Sequence, residues 1–264
     1  GSRASMAIMA AETLGIDYDQ VRATVADTAS VGYTHVTGGS RVTLASGLAV
    51  INSAKEVIAE LCVRAARIWD VDPEGVIWED GYAKPASSNV GEFEPLSLAQ
   101  IAAQKSATGG PIVGSAGVNP TGVGPGVATQ ICDVEVDPDT GFIKILRFTA
   151  AQDAGRAIHP SYVEGQIHGG IAQGLGLALM EEYLPGRTEN LHDYLIPTVG
   201  DMPEIEVILV EDPDPNGPQG AKGVGEPGLV PTAPAILAAI KSATGVAVHQ
   251  VPATPARLRA AILK

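Results

Sequence analysis

One carboxylate stands apart in this sequence. Glu226 lies in Gln219-Gly220-Ala221-Lys222-Gly223-Val224-Gly225-Glu226-Pro227-Gly228, a run of glycine and proline that ends against an apolar stretch. No Asp or Glu follows it before Lys264. Val224, Leu229 and Val230 are expected to take water from this carboxylate. A desolvated carboxylate holds a proton more readily, which suits a general base. The plainer alternative is an acid that complements the dipole at the start of a helix. Residues 223–228 also fit the pattern G-x-G-x-x-G, but a dinucleotide site does not follow. No clear strand precedes the run, Pro227 stiffens it, and the acid expected downstream for a ribose is missing.

A second glycine segment, Thr37-Gly38-Gly39-Ser40-Arg41, comes just before a long apolar-periodic stretch. Small residues at a helix N-terminus let backbone N–H groups approach an anion, such as a phosphate or a pterin oxygen. The alternative is an ordinary cap, with Ser40 closing the helix. Gly1-Ser2-Arg3 has the same form ahead of the first helix and the same alternative. The stretch Pro160 to Tyr183 reads as a helix with a stripe of Val163, Ile167, Ile171, Leu175 and Leu179. Gly165, Gly169, Gly170, Gly174 and Gly176 share that span. Each interior glycine costs about 1 kcal/mol relative to alanine, so close approach of a backbone or a ligand is expected. Gln166 and Gln173 lie on one face, where their amides can read a heterocycle or simply meet solvent. His168, without a partner in the pattern, reads as structural.

These segments need elements to position them. Helices are expected at Met6–Leu14, Val42–Trp69, Leu96–Gln104, Pro160–Tyr183, Pro231–Ala243 and Pro255–Leu263. Strands are expected at Val21–Ala26, Val127–Val136, Phe142–Ala150 and Ile205–Val210, with a hairpin from Val76 to Tyr82 turning at Asp80-Gly81. Loops fill Ser30–Ser40, Gly109–Gly126 and Glu211–Gly223. The order gives an α+β protein of two α/β halves packed together, residues 1–110 and 111–264. The second half carries the glutamate loop.

Composition narrows the function. The net charge of −13 over 264 residues and the lack of a basic run disfavour nucleic acid. With 45% hydrophobic and only 18% charged residues, the chain is expected to bury much of itself against other protein. The longest charge-free stretch, Ser106 to Cys132, is broken by glycine and proline and makes no membrane span. Cys62 and Cys132 form no disulfide framework and no zinc site, and read as two buried reduced thiols of a cytoplasmic protein.

The sequence resembles the molybdopterin-binding subunit of the xanthine dehydrogenase and aldehyde oxidase family. The likeness is carried by Asp153-Ala154-Gly155-Arg156-Ala157-Ile158-His159-Pro160, by Val163 to Gly176, by Asp193-Tyr194-Leu195-Ile196-Pro197 and by Gly223-Val224-Gly225-Glu226-Pro227. It implies the C-terminal part of a molybdenum hydroxylase, an oxidoreductase that puts water-derived oxygen on an N-heterocycle or an aldehyde. It implies molybdenum held by a molybdopterin, in its plain or cytosine dinucleotide form, with no metal-ligating side chain in this chain. Glu226 takes the position of the base. Gln166 takes that of a glutamine on the cofactor, and Gly38, Gly39, Ser40 and Arg41 that of a loop around the pterin or its phosphates. Gly225 takes that of a backbone contact near the metal, and Gly1 and Ser2 that of a cofactor-contacting turn.

Iron–sulfur clusters and FAD are expected on partner domains or subunits, along with the rest of the molybdopterin-binding domain. The chain is therefore expected to be an excerpt, a cleaved piece or one subunit, inactive alone. A glycine–glutamine–glycine stretch common in the family would precede Gly1. His159 stands where the family often has Asn, and Gly228 at a position open in the family to a second proline or another small residue. The alternative function is a non-catalytic cofactor-storage or assembly domain of the same fold.

Overall fold

The computed structural model describes residues 1–264 apart from Ala26, Ser30, Val31 and Val123. The end of the expected strand Val21–Ala26, the start of the loop Ser30–Ser40 and one residue of the loop Gly109–Gly126 lie outside the described residues. The chain is mixed α+β and forms two compact units. The first comprises Gly1–Thr37, Arg41–Gly122 and Gly217–Gln219, and the second Gly38–Ser40, Val123–Asn216 and Gly220–Lys264. These differ from halves at 1–110 and 111–264 in residues 111–122 and in two short exchanged segments.

In the first unit α1 (Ser2–Leu14) ends at Gly15, whose φ of 68° closes the helix in the left-handed cap geometry. It begins four residues earlier than the apolar pattern marks, because the pattern reads buried positions and not the polar first turn. Residues 21–25 form no strand: they have no ladder partner, and Val25 is exposed. Helix α2 (Val42–Trp69) runs over the expected residues and stops at Asp70, also left-handed. By length and composition α2 is apolar enough to cross a membrane. Within its unit it is amphipathic, with Leu44, Ile51, Ala54 and Leu61 buried and Lys55 and Glu56 exposed. Gly47 brings it against α1, since a methyl there would lie 2.7 Å from the Met9 sulfur.

Strands β1 (Val76–Glu79) and β2 (Tyr82–Pro85) pair antiparallel through Asp80 and Gly81, with φ of 53° and 81°. Positive φ at both central residues is what a tight hairpin of this hand requires. A two-residue β3 (Leu96–Ser97) joins β2. Ser97 and Gln100 then form a reciprocal capping box that starts α3 (Leu98–Ala103), followed by the single turn α4 (Lys105–Thr108). Leu61, Ala65, Ala66, Val76, Ala83 and Ile101 make the core of this unit.

The second unit holds β4 (Ala128–Val136) and β5 (Ile143–Asp153), antiparallel, with β6 (Glu204–Val210) parallel to β5 on its other side. The turn between β4 and β5 is fastened by Asp137, which accepts from the Asp139 N–H and the Thr140 hydroxyl. The crossover from β5 to β6 carries α5 (Pro160–Leu179), and α6 (Thr232–Thr244) and α7 (Pro255–Ile262) follow. Phe148 and Ala150 from the sheet pack with Ile167, Ile171, Leu175, Ile236, Ile240 and Leu258 from the helices. Each of the larger of these side chains, once buried, contributes about 1.5–3 kcal/mol. The expected stripe on α5 is thus the core face, although the helix stops at Leu179 and not near Tyr183. Strand β5 extends past Ala150 to Asp153, which carries that aspartate to the functional loop.

Cys132 is buried and Cys62 half-buried, so only the first meets the expectation of two buried thiols. Burial, aided by the nearby Asp133, pushes the Cys132 thiol up to about 12. Burial also raises that of Cys62. The nucleophilic thiolate is therefore scarce at neutral pH. Labelling the native protein with a maleimide near pH 7.5 is expected to leave Cys132 unmodified until denaturant is added. Modification of Cys132 as fast as that of a free thiol would contradict this placement.

Candidate active site

The loop that carries Glu226 is built in three stages, all in the second unit. Its root is fastened to the end of β5. Gly155 bridges to Ala221, the Lys222 N–H donates to the Ala154 carbonyl at 2.9 Å, and the Arg156 N–H donates to the Gly220 carbonyl at 2.9 Å. The Lys222 ammonium donates to Asp153 at 2.6 Å. Burial opposes the charge on Asp153, yet Lys222 and the Gly155 N–H outweigh it and hold its carboxyl below the usual range.

The middle of the loop runs along Gly38–Ser40. The Glu226 N–H donates to the Ser40 hydroxyl at 2.8 Å, and the Gly39 N–H donates to the Glu226 carboxylate at 3.1 Å. The two segments therefore exchange hydrogen bonds in both directions. A methyl on Gly223 would lie 2.5 Å from the Ser40 carbonyl oxygen, so only glycine allows this approach. Ser40 has a φ of 54°, a left-handed conformation that costs a non-glycine residue of order 1 kcal/mol. The capping alternative for Ser40 is not what the structure shows. Arg41 is the residue that precedes α2, no side chain caps that helix, and the Ser40 hydroxyl serves Glu226 instead.

The end of the loop sits on α5. The Leu229 N–H donates to the Glu226 carbonyl at 2.9 Å. The Gln130 amide donates to the Gly228 carbonyl at 2.7 Å, and the buried Thr232 hydroxyl donates back to Gln130 at 2.7 Å. A methyl on Gly170 would lie 2.7 Å from the Gly228 carbonyl carbon, and one on Gly174 would collide with Thr232. Two of the costly helix glycines are thus explained within the chain, Gly170 by the backbone of the loop and Gly174 by the Thr232 side chain at the start of α6. Gly176 gives room to the Glu181 carboxylate, which accepts from the Tyr194 hydroxyl at 2.8 Å. Gly165 and Gly169 face open space instead.

Glu226 is exposed, contrary to the desolvated setting expected from its neighbours. The inward side of the loop is backbone lying on α5, so Val224 and Leu229 are only partly buried and Val230 is 69% exposed. What the carboxylate has is orientation, through the Gly39 N–H. Gly225 lies beside it, with its methyl position 3.4 Å from the Ser40 hydroxyl and 3.8 Å from the Gln166 amide oxygen. The structure thus gathers Gly38, Gly39, Ser40, Gln166, Gly225 and Glu226 in one unit. Gly1, Ser2 and Arg41 belong to the first unit, where Gly1 precedes α1, Ser2 opens it and Arg41 precedes α2. His168 is exposed on α5, and Gln173 is exposed on the same face as Gln166. Sequence reasoning missed Gln130, Thr232 and Lys222. Their roles depend on contacts distant in sequence, and no local spacing announces them.

An organic, heterocyclic cofactor fits this donor set. It contains one amide side chain, backbone N–H groups of a glycine segment and one oriented carboxylate, with open space over Gly38, Gly39, Gly165 and Gly169 that larger residues would fill. Among the described residues no group of three or more His, Cys, Asp or Glu side chains is placed to hold a metal ion directly.

Residues 1–203 match the family model of the molybdopterin cofactor-binding domain. The chain belongs to this family. Similar relatives of this molybdopterin-binding chain include the nicotine 6-hydroxylase large subunit of Paenarthrobacter nicotinovorans. That protein is 30% identical over 282 aligned residues, covering 98% of this chain and 33% of the relative. The xanthine dehydrogenase molybdenum-binding subunit of Escherichia coli O157:H7 is 37% identical over 175 residues, covering 62% of this chain and 23% of the relative. Among solved structures, quinoline 2-oxidoreductase from Pseudomonas putida 86 superposes with a TM-score of 0.86 at 28% identity, over 100% of this chain and 35% of that one. The chain spans between about a quarter and about a third of the length of these relatives. It is a molybdopterin-binding part of the molybdenum hydroxylase family.

Proposed function

We propose that this chain forms the base-carrying side of the active site of a cytoplasmic molybdenum hydroxylase. The substrate is an N-heterocycle or an aldehyde, and Glu226 is the catalytic base. The reaction replaces a C–H bond with a C–OH bond using water, and releases two electrons and two protons. A molybdenum–molybdopterin, with or without a cytosine nucleotide, supplies the two-electron redox chemistry when bound. Glu226 accepts a proton during hydroxylation and returns it to solvent, a path open to it because its side chain is exposed. The Gly39 N–H fixes the direction of the carboxylate, and the Ser40 hydroxyl fixes its backbone. Gln166 offers donor and acceptor groups to the pterin, with Gly225 beside it. Backbone N–H groups of Gly38 and Ser40 hold pterin oxygens or phosphates.

The rest of the molybdopterin-binding domain comes from the remaining two-thirds of a relative-length protein or from a separate subunit. Electrons leave to iron–sulfur centres and FAD on partners. This chain alone is then inactive.

The observation that supports this reading best is the two-way exchange of hydrogen bonds between Gly39-Ser40 and Glu226. It joins the glycine segment and the lone carboxylate, which the sequence keeps 187 residues apart. The test is metal and pterin analysis of the protein purified with its natural partners, with turnover of heterocycles and aldehydes in ¹⁸O-labelled water. Bound molybdenum and pterin with label in the product support the reading. Bound cofactor without turnover of any substrate would make the chain a storage or assembly domain, and absence of both would remove the cofactor from the account.

A further inference from the structure

The buried ion pair beneath the loop has no role in the chemistry above. The side chains of Lys222 and Asp153 are 7% and 10% exposed, and their charged atoms lie 2.6 Å apart. A buried pair is a poor source of net stability, because desolvating two charges offsets most of their attraction. Its place in the chain gives it another use. Asp153 is the last residue of β5, and its other carboxylate oxygen accepts from the Gly155 N–H at 2.9 Å. It is therefore a fixed post at the edge of the sheet. Lys222 ties the loop to that post, and the next residue, Gly223, is the one pressed against Ser40. Ser40 in turn receives the Glu226 N–H. One peptide link and two contacts thus lead from the ion pair to the backbone of Glu226. Other charges near the ammonium are Asp212, at 3.4 Å and largely exposed, and Asp214, whose carboxylate is engaged by the N–H groups of Asn216 and Gly124.

We propose that the Asp153–Lys222 pair is a positioning device for Glu226, setting the register in which the loop meets Gly38–Ser40. The proposal rests on the reading of Glu226 as the base, and it concerns geometry that exists without cofactor.

The test is hydrogen exchange on the complete protein in its cofactor-free form, comparing wild type with Lys222→Met. The amides of Lys222 and Glu226, bonded to Ala154 and Ser40, are expected to exchange about tenfold faster in the variant, while α6 amides are unchanged. In the loaded enzyme, kcat should fall about tenfold or more with KM nearly constant, and Lys222→Arg should recover most of both losses. Unchanged loop exchange in Lys222→Met would overturn the proposal, as would faster exchange with kcat intact. Should Lys222→Met also unfold α6, Lys222→Arg decides. Loop protection retained with the cation supports the pair as the anchor, and protection lost while α6 stays protected overturns it. None of these exchange results depends on the chemistry of Glu226, so failure of the base assignment is seen separately, as turnover surviving Glu226→Gln.

Discussion

Glu226→Gln in the complete enzyme should retain molybdenum and pterin at wild-type levels while turnover falls by about 10²- to 10⁴-fold, the usual worth of a positioned acid–base group. Glutamine has nearly the same shape, and its amide oxygen can still accept from the Gly39 N–H, where the carboxylate now accepts at 3.1 Å. The backbone bond from residue 226 to Ser40 is untouched by the change. The substitution therefore removes proton acceptance and little else. The loss should appear in kcat and kcat/KM alike, with KM nearly unchanged. Parallel metal and pterin analysis separates a lost base from a lost cofactor. Turnover within a few-fold of wild type would show that another group takes the proton.

The second large effect is expected at a residue with no part in the chemistry. Gly170→Ala should destabilise the protein and slow turnover together, whereas Gly169→Ala, one residue earlier on the same helix, should leave the stability of the cofactor-free protein intact. The new methyl at residue 170 would lie 2.7 Å from the Gly228 carbonyl carbon and 2.8 Å from the Leu229 nitrogen. These are backbone atoms, so the loop must move. Overpacking of this kind costs about 1–3 kcal/mol, against about 1 kcal/mol recovered in helix propensity. A shift of the loop by a fraction of an ångström displaces Glu226, and misplacement of about 1 Å can cost about 100-fold in rate.

At residue 169 the methyl meets nothing within 4 Å, and only the propensity gain remains. Thermal midpoints of the two cofactor-free variants, with turnover of loaded Gly170→Ala, check this pair. Equal behaviour at both positions would contradict the packing of the loop on α5. In the loaded enzyme, cofactor loss in Gly169→Ala alone would mark the open face of α5 as covered by the cofactor or by another domain.

The sequence made the long-range plan legible where side-chain patterns are local. The limits of α2 follow from its apolar period, the β1–β2 hairpin from Asp80-Gly81, and the core face of α5 from its stripe. The glycines of α5 announced a close approach, and Gly170 proved to meet the Glu226 loop itself, while Gly174 meets Thr232 at the start of α6. What local reading gets wrong is whatever depends on a neighbour. Val21 to Val25 alternates like a strand but has no ladder to join. Ser40 has the residue type of a cap, yet its hydroxyl goes to a residue 186 positions away. Apolar neighbours in sequence did not bury Glu226, because they flank a loop whose backbone, and not its side chains, makes the inward contact. Asp153 lies inside a recognisable motif, but its pairing with Lys222 follows only once β5 is known to reach it.

A crystal structure of the molybdenum-loaded enzyme tests the central claim most directly. The account predicts the Glu226 carboxylate turned toward the ligand shell of the metal, still joined to Gly39 and Ser40, with the Gln166 amide on the pterin. A loaded structure in which residue 226 points into bulk solvent, and the segment 38–40 touches no part of the cofactor, would contradict it.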